Sequence, residues 1–191
     1  GNGLSSADHH EDALSVQKAL LSLHQRLGAS EENILLVQGN LACTYSLLGR
    51  KVEALSLRKE VYSGRLKLNG EEHHETMREA YNYAVSLFKL ERFEEAKSLM
   101  HKTTPVARRV LGESHDLTLK IRKSCAQSLC EGPSATLDDL REAETTLEEI
   151  ERIARRVFGG THPFTAETEQ NLQVLRAALR AREANVSAIR E

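Results

Sequence analysis

The sequence predicts an all-α, right-handed superhelical solenoid of antiparallel helix hairpins, and three observations carry that expectation. Leu27-Gly28 recurs as Asn69-Gly70 and as Leu111-Gly112, each 42 residues further on, and Phe158-Gly159 follows after 47. The pairs Asn40/Asn82, Ala42/Ala84, Ala54/Ala96 and His73/His115 keep the 42-residue step. A fixed period in this range marks a stacked-repeat architecture. Within each period the apolar residues fall at helical spacing, and no strand-like alternation of any length competes. Only 4% of the chain is aromatic and it holds no Trp, so the core is built from Ala and Leu, which suits closely packed helices.

Taken in order, residues 9–27 read as the second helix of a repeat whose first helix is missing from the chain. Residues 32–70 form the first full repeat. Leu35, Leu41, Tyr45 and Leu48 share one helix face, Gly49-Arg50 makes the turn, and Val52, Leu55, Val61, Tyr62, Leu66 and Leu68 belong to the second helix. Residues 74–112 repeat the pair around Glu91-Arg92, and Gly112 supplies a helix stop, because glycine enters the left-handed C′ conformation without a Cβ penalty. Pro105 falls inside that second helix and is expected to kink it or end its first half. Residues 116–159 form a third repeat carrying five extra residues around Glu131 to Ala135, where Gly132-Pro133-Ser134 has loop composition. Trimming this insertion is expected to leave stability nearly unchanged. Thr136 followed by Asp139 reads as an acidic capping box. Residues 164–191 begin a partial repeat or capping helix that runs on through Ala177, Leu179, Ala181 and Ile189 without a turn signal. The whole, 1–191, reads as a single repeat domain. The opening Gly1-Asn2-Gly3 has the composition of an expression remnant, and the chain reads as a piece of something longer.

Bulk composition narrows the partners. With 26 basic and 28 acidic residues the net charge is −2, without the basic excess that nucleic-acid binding usually needs. No apolar run approaches the roughly 18 residues of a membrane span, so no membrane partner is expected. The three cysteines, Cys43, Cys125 and Cys130, cannot all pair within one chain. Cys125 aligns with Leu41, Tyr83 and Leu172, so it reads as a small apolar core residue. A reducing, cytoplasmic setting fits.

The residues at these positions also resemble a known family. Asn40-Leu41-Ala42 with Gly49-Arg50 and Glu53-Ala54, then Asn82-Tyr83-Ala84 with Arg92-Phe93-Glu94-Glu95-Ala96, are similar to tetratricopeptide repeats of the kinesin light chain type. The joint Leu111-Gly112-Glu113-Ser114-His115-Asp116-Leu117-Thr118 resembles the same family, and Gly159-Gly160-Thr161-His162-Pro163-Phe164-Thr165 repeats it. Pro163 suits the first helical position, where its missing donor costs nothing. Ala42, Ala54, Ala84, Ala96, Ala126 and Ala143 stand where helices must approach closely.

The resemblance implies a groove that holds an extended peptide. In that family the Asn of the Asn-Leu-Ala stretch faces the groove and bonds the peptide backbone, work that suits an amide able to donate and accept at once. The matching positions here are Asn40, Asn82 and Asn171, with Ser124 in the third repeat. One turn earlier stand Leu36, Arg78, Lys120 and Glu167. Arg78 and Lys120 would favour an acidic segment, whereas Ser124 is shorter than Asn, and Leu36 and Glu167 bring no cation. The competing role for the asparagines is inter-repeat packing.

The search for chemistry leaves little. His115, His162 and one of His73 and His74 recur at the joints and read as helix-start residues. His9-His10-Glu11-Asp12 lacks the i, i+4 pair of a helical metal site. There is no phosphate-binding glycine loop, nucleophile elbow or Cys-x-x-Cys, so no catalytic residue, metal or cofactor is expected. The charged run from Glu148 to Arg156 reads as a solvated helix face. Function is therefore expected to be a protein-protein interaction module for a protein or peptide ligand. The alternative is a structural scaffold segment that self-associates through its incomplete terminal repeats.

Overall fold

A computed structural model of the chain describes the backbone of residues 2–132 and 134–190 and the side chains of residues 9–132 and 134–185. Among the described residues it is all helical. The helices are α1 (Asn2–Arg26), α2 (Glu31–Leu47), α3 (Lys51–Asn69), α4 (His74–Phe88), α5 (Phe93–Leu111), α6 (Asp116–Glu131), α7 (Leu137–Phe158) and α8 (Pro163–Arg190). Among the described residues no helix is long and apolar enough to cross a membrane.

The joints explain where the long helices stop and start. α3, α5 and α7 end at Gly70, Gly112 and Gly159, whose φ angles are +79°, +87° and +90°. Each glycine N–H donates to the carbonyl four residues back at 3.1 Å, closing the last turn in a conformation that a Cβ would strain. Three residues later a histidine caps the following helix. Nδ1 of His73, His115 and His162 accepts the backbone N–H of Glu75, Leu117 and Phe164 at 3.2, 3.1 and 3.2 Å. The recurring histidines are thus helix caps that satisfy donors left unpaired in the first turn.

The chain forms two compact units, Gly1–Leu90 and Glu91–Glu191. In the first, α1 packs on α2, α2 on α3 and α3 on α4. Leu14, Leu41, Tyr45 and Ala54 form a core cluster there, with Leu21, Leu48 and Leu57 packed against it. In the second, α5 packs on α6, α6 on α7 and α7 on α8, around Leu119, Ala126, Leu147, Ile150, Leu172 and Leu175. All six alanines singled out in the sequence are buried.

Three places add to the sequence reading. α5 continues through Pro105 to Leu111 without a break. The hydroxyls of Thr103 and Thr104 bond the carbonyls of Leu99 and Met100, each at 2.8 Å, in the turn where the proline ring interrupts the backbone pattern. In α3, Val52 and Leu68 are exposed, while the charged Arg65 is buried. The five-residue insertion is anchored on both sides. Ser134 Oγ donates to Glu94 at 2.6 Å, and Arg182 Nη1 donates to the Ala135 carbonyl at 2.6 Å. Pro133, and the side chain of Ile189 in α8, lie outside the described residues. The capping box is present: Thr136 Oγ1 accepts from the Asp139 N–H at 3.1 Å, and the Asp139 carboxylate accepts from the Thr136 N–H at 2.9 Å.

Candidate functional site

Each unit carries a cleft between alternate helices, floored by the helix between them. In the first unit α2 and α4 flank about 400 Å3 of open space over α3, and Leu36, Asn40, Arg58, Arg65, Arg78, Glu79 and Asn82 lie on its walls. The centre of its electrostatics is Glu79, only 4% exposed. Its carboxylate accepts from Arg58 at 3.1 Å, from Asn82 Nδ2 at 3.3 Å and from Arg78 at 3.4 Å. A carboxylate is buried only when paired, and here two guanidinium groups and an amide provide the pairing. Arg78 also pairs with Glu75, one turn back on the same helix. Arg65 reaches Glu32 on α2 at 3.3 Å.

Asn40, Arg78 and Asn82 are therefore brought together around one cleft. Asn40 sits exposed at its rim on α2, while Asn82 and Arg78 lie a turn apart on α4. The residues that the sequence reading missed are Glu79, Arg58 and Arg65. One signal was available. Arg58, Val61 and Arg65 follow core spacing on α3, and the counterparts of Arg58 in α5 and α7 are the buried Met100 and Leu147. A charge at an apolar periodic position needs a buried partner, and Glu79 is that partner.

The second unit has a different cleft. α6 and α8 flank about 300 Å3 over α7, lined by Gln127, Cys130, Glu131, Leu140, Leu147, Asn171, Val174, Leu175 and Arg182. Its floor is apolar. Asn171 Nδ2 is buried without a hydrogen-bond partner among the described residues. Burial raises the Glu131 carboxyl above its usual range and pushes the Cys130 thiol up to about 11. Ser124 is 3% exposed, and its hydroxyl too is buried without a partner among the described residues. Lys120, half-exposed, pairs with Asp116 one turn back at 2.7 Å. Neither Ser124 nor Lys120 is part of this cleft's lining. Lys123, next to Ser124 and about one turn from Lys120, is buried, pairs with Glu167 at 2.7 Å and lies 5.0 Å from the centre of the Phe164 ring.

Comparison with known proteins places this geometry. A tetratricopeptide repeat family model matches residues 35–75 and 81–116. No curated protein matches the sequence. Among solved structures, nearly identical TPR-like repeats from a Podosopora anserina protein assigned as a kinesin light chain superpose with a TM-score of 0.69 at 19% identity, covering 93% of this chain and 88% of that one. A Q17M form of those repeats gives 0.71 at 19% identity, covering 94% and 89%. BtubC (BKLC) from P. vanneervenii gives 0.56 at 14% identity, covering 90% and 75%. Residues 35–75 and 81–116 match tetratricopeptide repeats, and the chain as a whole has the fold of these TPR-like repeat structures.

Proposed function

We propose that the chain binds an extended segment of a partner protein, with acidic residues of that segment in the α2/α4 cleft and an apolar residue in the α6/α8 cleft. Tetratricopeptide repeats are protein-interaction scaffolds as a class. The observation that carries the finer reading is the lining of the first cleft, where Arg58 and Arg78 bond Glu79 and Arg65 bonds Glu32, beside two amides. Cationic walls with adjacent donors fit carboxylate side chains on a passing backbone.

In this reading Asn40, Asn82 and Asn171 bond the peptide backbone, with Asn171 gaining the partner its buried amide lacks. Arg78 leaves Glu75 and Lys120 leaves Asp116 for carboxylates of the ligand, while buried Glu79 keeps Arg58 and Asn82. Such exposed pairs contribute only about 0–1 kcal/mol each, so the exchange costs little. Ser124 contributes only when a ligand opens the helix face above its enclosed hydroxyl.

The test uses fluorescence anisotropy with labelled extended peptides, acidic and charge-neutral, at low and high salt. Acidic peptides should bind more tightly, lose affinity as salt rises, and fail to bind the Arg78→Glu, Lys120→Glu double variant. An acidic peptide that binds this variant as tightly as the parent chain would show that the α2/α4 cleft is the wrong place for its acidic residues.

A further inference from the structure

A further cleft opens in the second unit and shares no residue with the α6/α8 cleft. α5 and α7 flank about 450 Å3 of open space over α6, whereas the α6/α8 cleft lies over α7. The two clefts of this unit therefore open on opposite layers of helices, one between α5 and α7 and the other between α6 and α8.

The guanidinium groups of this cleft are already matched. Arg122, 4% exposed, pairs with Glu113 at 3.1 Å and with Glu149 at 2.5 Å, and Arg108 pairs with Glu113 at 2.5 Å. What remains on the α7 wall is acceptors. Glu142 makes no hydrogen bond or ion pair among the described residues, and neither does the Thr146 hydroxyl one turn further on. Lys97 feels the Glu142 charge but is bonded to Asp139 at 2.8 Å. On the floor, burial pushes the Cys125 thiol up, and the Glu142 charge adds to that rise. The thiol thus stays protonated near neutrality and brings no charge of its own. Two guanidinium groups face three carboxylates, which leaves Glu142 unmatched.

α5 supplies another acceptor from its backbone. A proline has no N–H, so Pro105 leaves the His101 carbonyl without the amide that a helix would give it. His101, Thr104 and Pro105 all line the cleft. The Thr104 hydroxyl turns back to the Met100 carbonyl at 2.8 Å, one residue short of His101. The proline that α5 carries without breaking therefore places a backbone acceptor on the wall across from Glu142.

We propose that this cleft takes an arginine side chain of a partner protein, its guanidinium donating to Glu142, to the Thr146 hydroxyl and to the His101 carbonyl. A guanidinium carries five donors in one plane and no acceptor, and it is more weakly hydrated than an ammonium. Acceptors on two walls suit that fork better than a compact point charge, and the carboxylate among them strengthens each bond. Ala126 and Leu129 on the floor offer apolar surface to the methylenes of the incoming side chain.

Amide-resolved NMR titration of the 191-residue chain with the pentapeptide Ala-Ala-Arg-Ala-Ala, capped at both ends, tests the proposal. The peptide should move the amides of residues 101, 125, 142 and 146 together. Citrulline in place of the arginine keeps the shape and removes the charge, and it should bind about fivefold more weakly, the worth of one exposed ion pair. Glu142→Gln, at an exposed position, should leave arginine and citrulline equal. Pro105→Ala should weaken binding while raising the melting temperature, because it returns an amide to the His101 carbonyl. A substitution that stabilises the helix and costs affinity is not a folding defect. Lysine bound as tightly as arginine overturns the proposal. So do an arginine preference that survives Glu142→Gln, shifts confined to other faces of the chain, and unchanged affinity in Pro105→Ala.

Discussion

The Thr118 hydroxyl at the start of α6 donates to the carbonyl of Ala107 near the end of α5, 3.2 Å away and fully buried. Thr76 makes the same 3.2 Å bond from α4 to the Arg65 carbonyl of α3. The third member of the series, Thr165 of α8, is equally buried, but its hydroxyl has no partner among the described residues. The same side chain at the same joint therefore works twice and is left idle once.

Replacing each threonine by valine, which keeps the shape and removes the hydroxyl, should separate these cases. Thr76→Val and Thr118→Val are expected to lose about 1 kcal/mol each, the net contribution of one hydrogen bond. Thr165→Val should be neutral or slightly stabilising, because it removes a buried polar group that bonds nothing. Urea unfolding of the three variants makes the comparison. Equal losses at all three sites would show that packing, and not the hydroxyl bond, holds the joints.

Glu79 organises the first cleft, so Glu79→Gln should act on stability and binding in opposite directions. Loss of the charge leaves Arg58 buried without its counter-ion, and about 1–3 kcal/mol of stability is expected to go with it. Arg58 then lacks a carboxylate partner, Arg65 and Arg78 keeping Glu32 and Glu75, and acidic peptides should bind several-fold more tightly. Weaker binding of acidic peptides to a folded Glu79→Gln chain would mean that Glu79 serves the ligand through the position of Arg78 and Asn82, not as a competitor for the cations.

The fold was legible because its signals are local. The turn glycines 70, 112 and 159, the capping histidines at 73, 115 and 162, and the alanines at helix contacts each act within a few residues of their own position. The cleft was legible only on α2 and α4, through Asn40, Arg78 and Asn82. Glu79 was hidden because burial of an acid depends on Arg58, 21 residues away on another helix, and helical periodicity cannot anticipate such a partner. Ser124 follows the same logic in reverse. Its repeat position matches Asn82, but a shorter side chain remains among the buried residues of α6. Pro105 was read from the backbone rule alone, while the helix runs on past it beside threonines whose hydroxyls bond the preceding turn.

Asp139 should give stability a defined acid limb. Bonds from Lys97 and then Thr136 hold its carboxyl well below the usual carboxylate range. A depressed folded-state pKa contributes stability that is present above the unfolded value of about 3.9 and is lost as pH falls through the folded value. The difference in stability between the parent chain and Asp139→Ala should be about 1 kcal/mol near neutrality, the usual worth of a helix cap. It should shrink progressively below about pH 4. Lys97→Met should reduce the same acid dependence, because its ammonium is the largest cause of the shift. A difference constant from neutral pH to pH 2 would remove the carboxylate from the account.

Trimming the Glu131–Ala135 insertion to the length of the Glu91-Arg92 turn tests whether the loop is a passive spacer. Closure entropy alone gives a small effect, about 0.6 kcal/mol per doubling of loop length, and on that basis the shortened chain would match the parent. The contacts point elsewhere. Ser134 holds Glu94 of α5, and Arg182 of α8 holds the Ala135 carbonyl, so the insertion links two helices that flank the α6–α7 hairpin. Arg182 also lines the α6/α8 cleft, which couples the loop to the place where an apolar ligand residue is expected. Shortening should therefore cost about 1–2 kcal/mol, the sum of two exposed hydrogen bonds to charged groups, and should also weaken peptide binding at the second cleft. Ser134→Ala and Arg182→Ala should each reproduce part of the stability loss, but only Arg182→Ala should reproduce the binding loss. A shortened chain as stable as the parent would show that both contacts are idle surface pairs and that the loop answers to entropy alone.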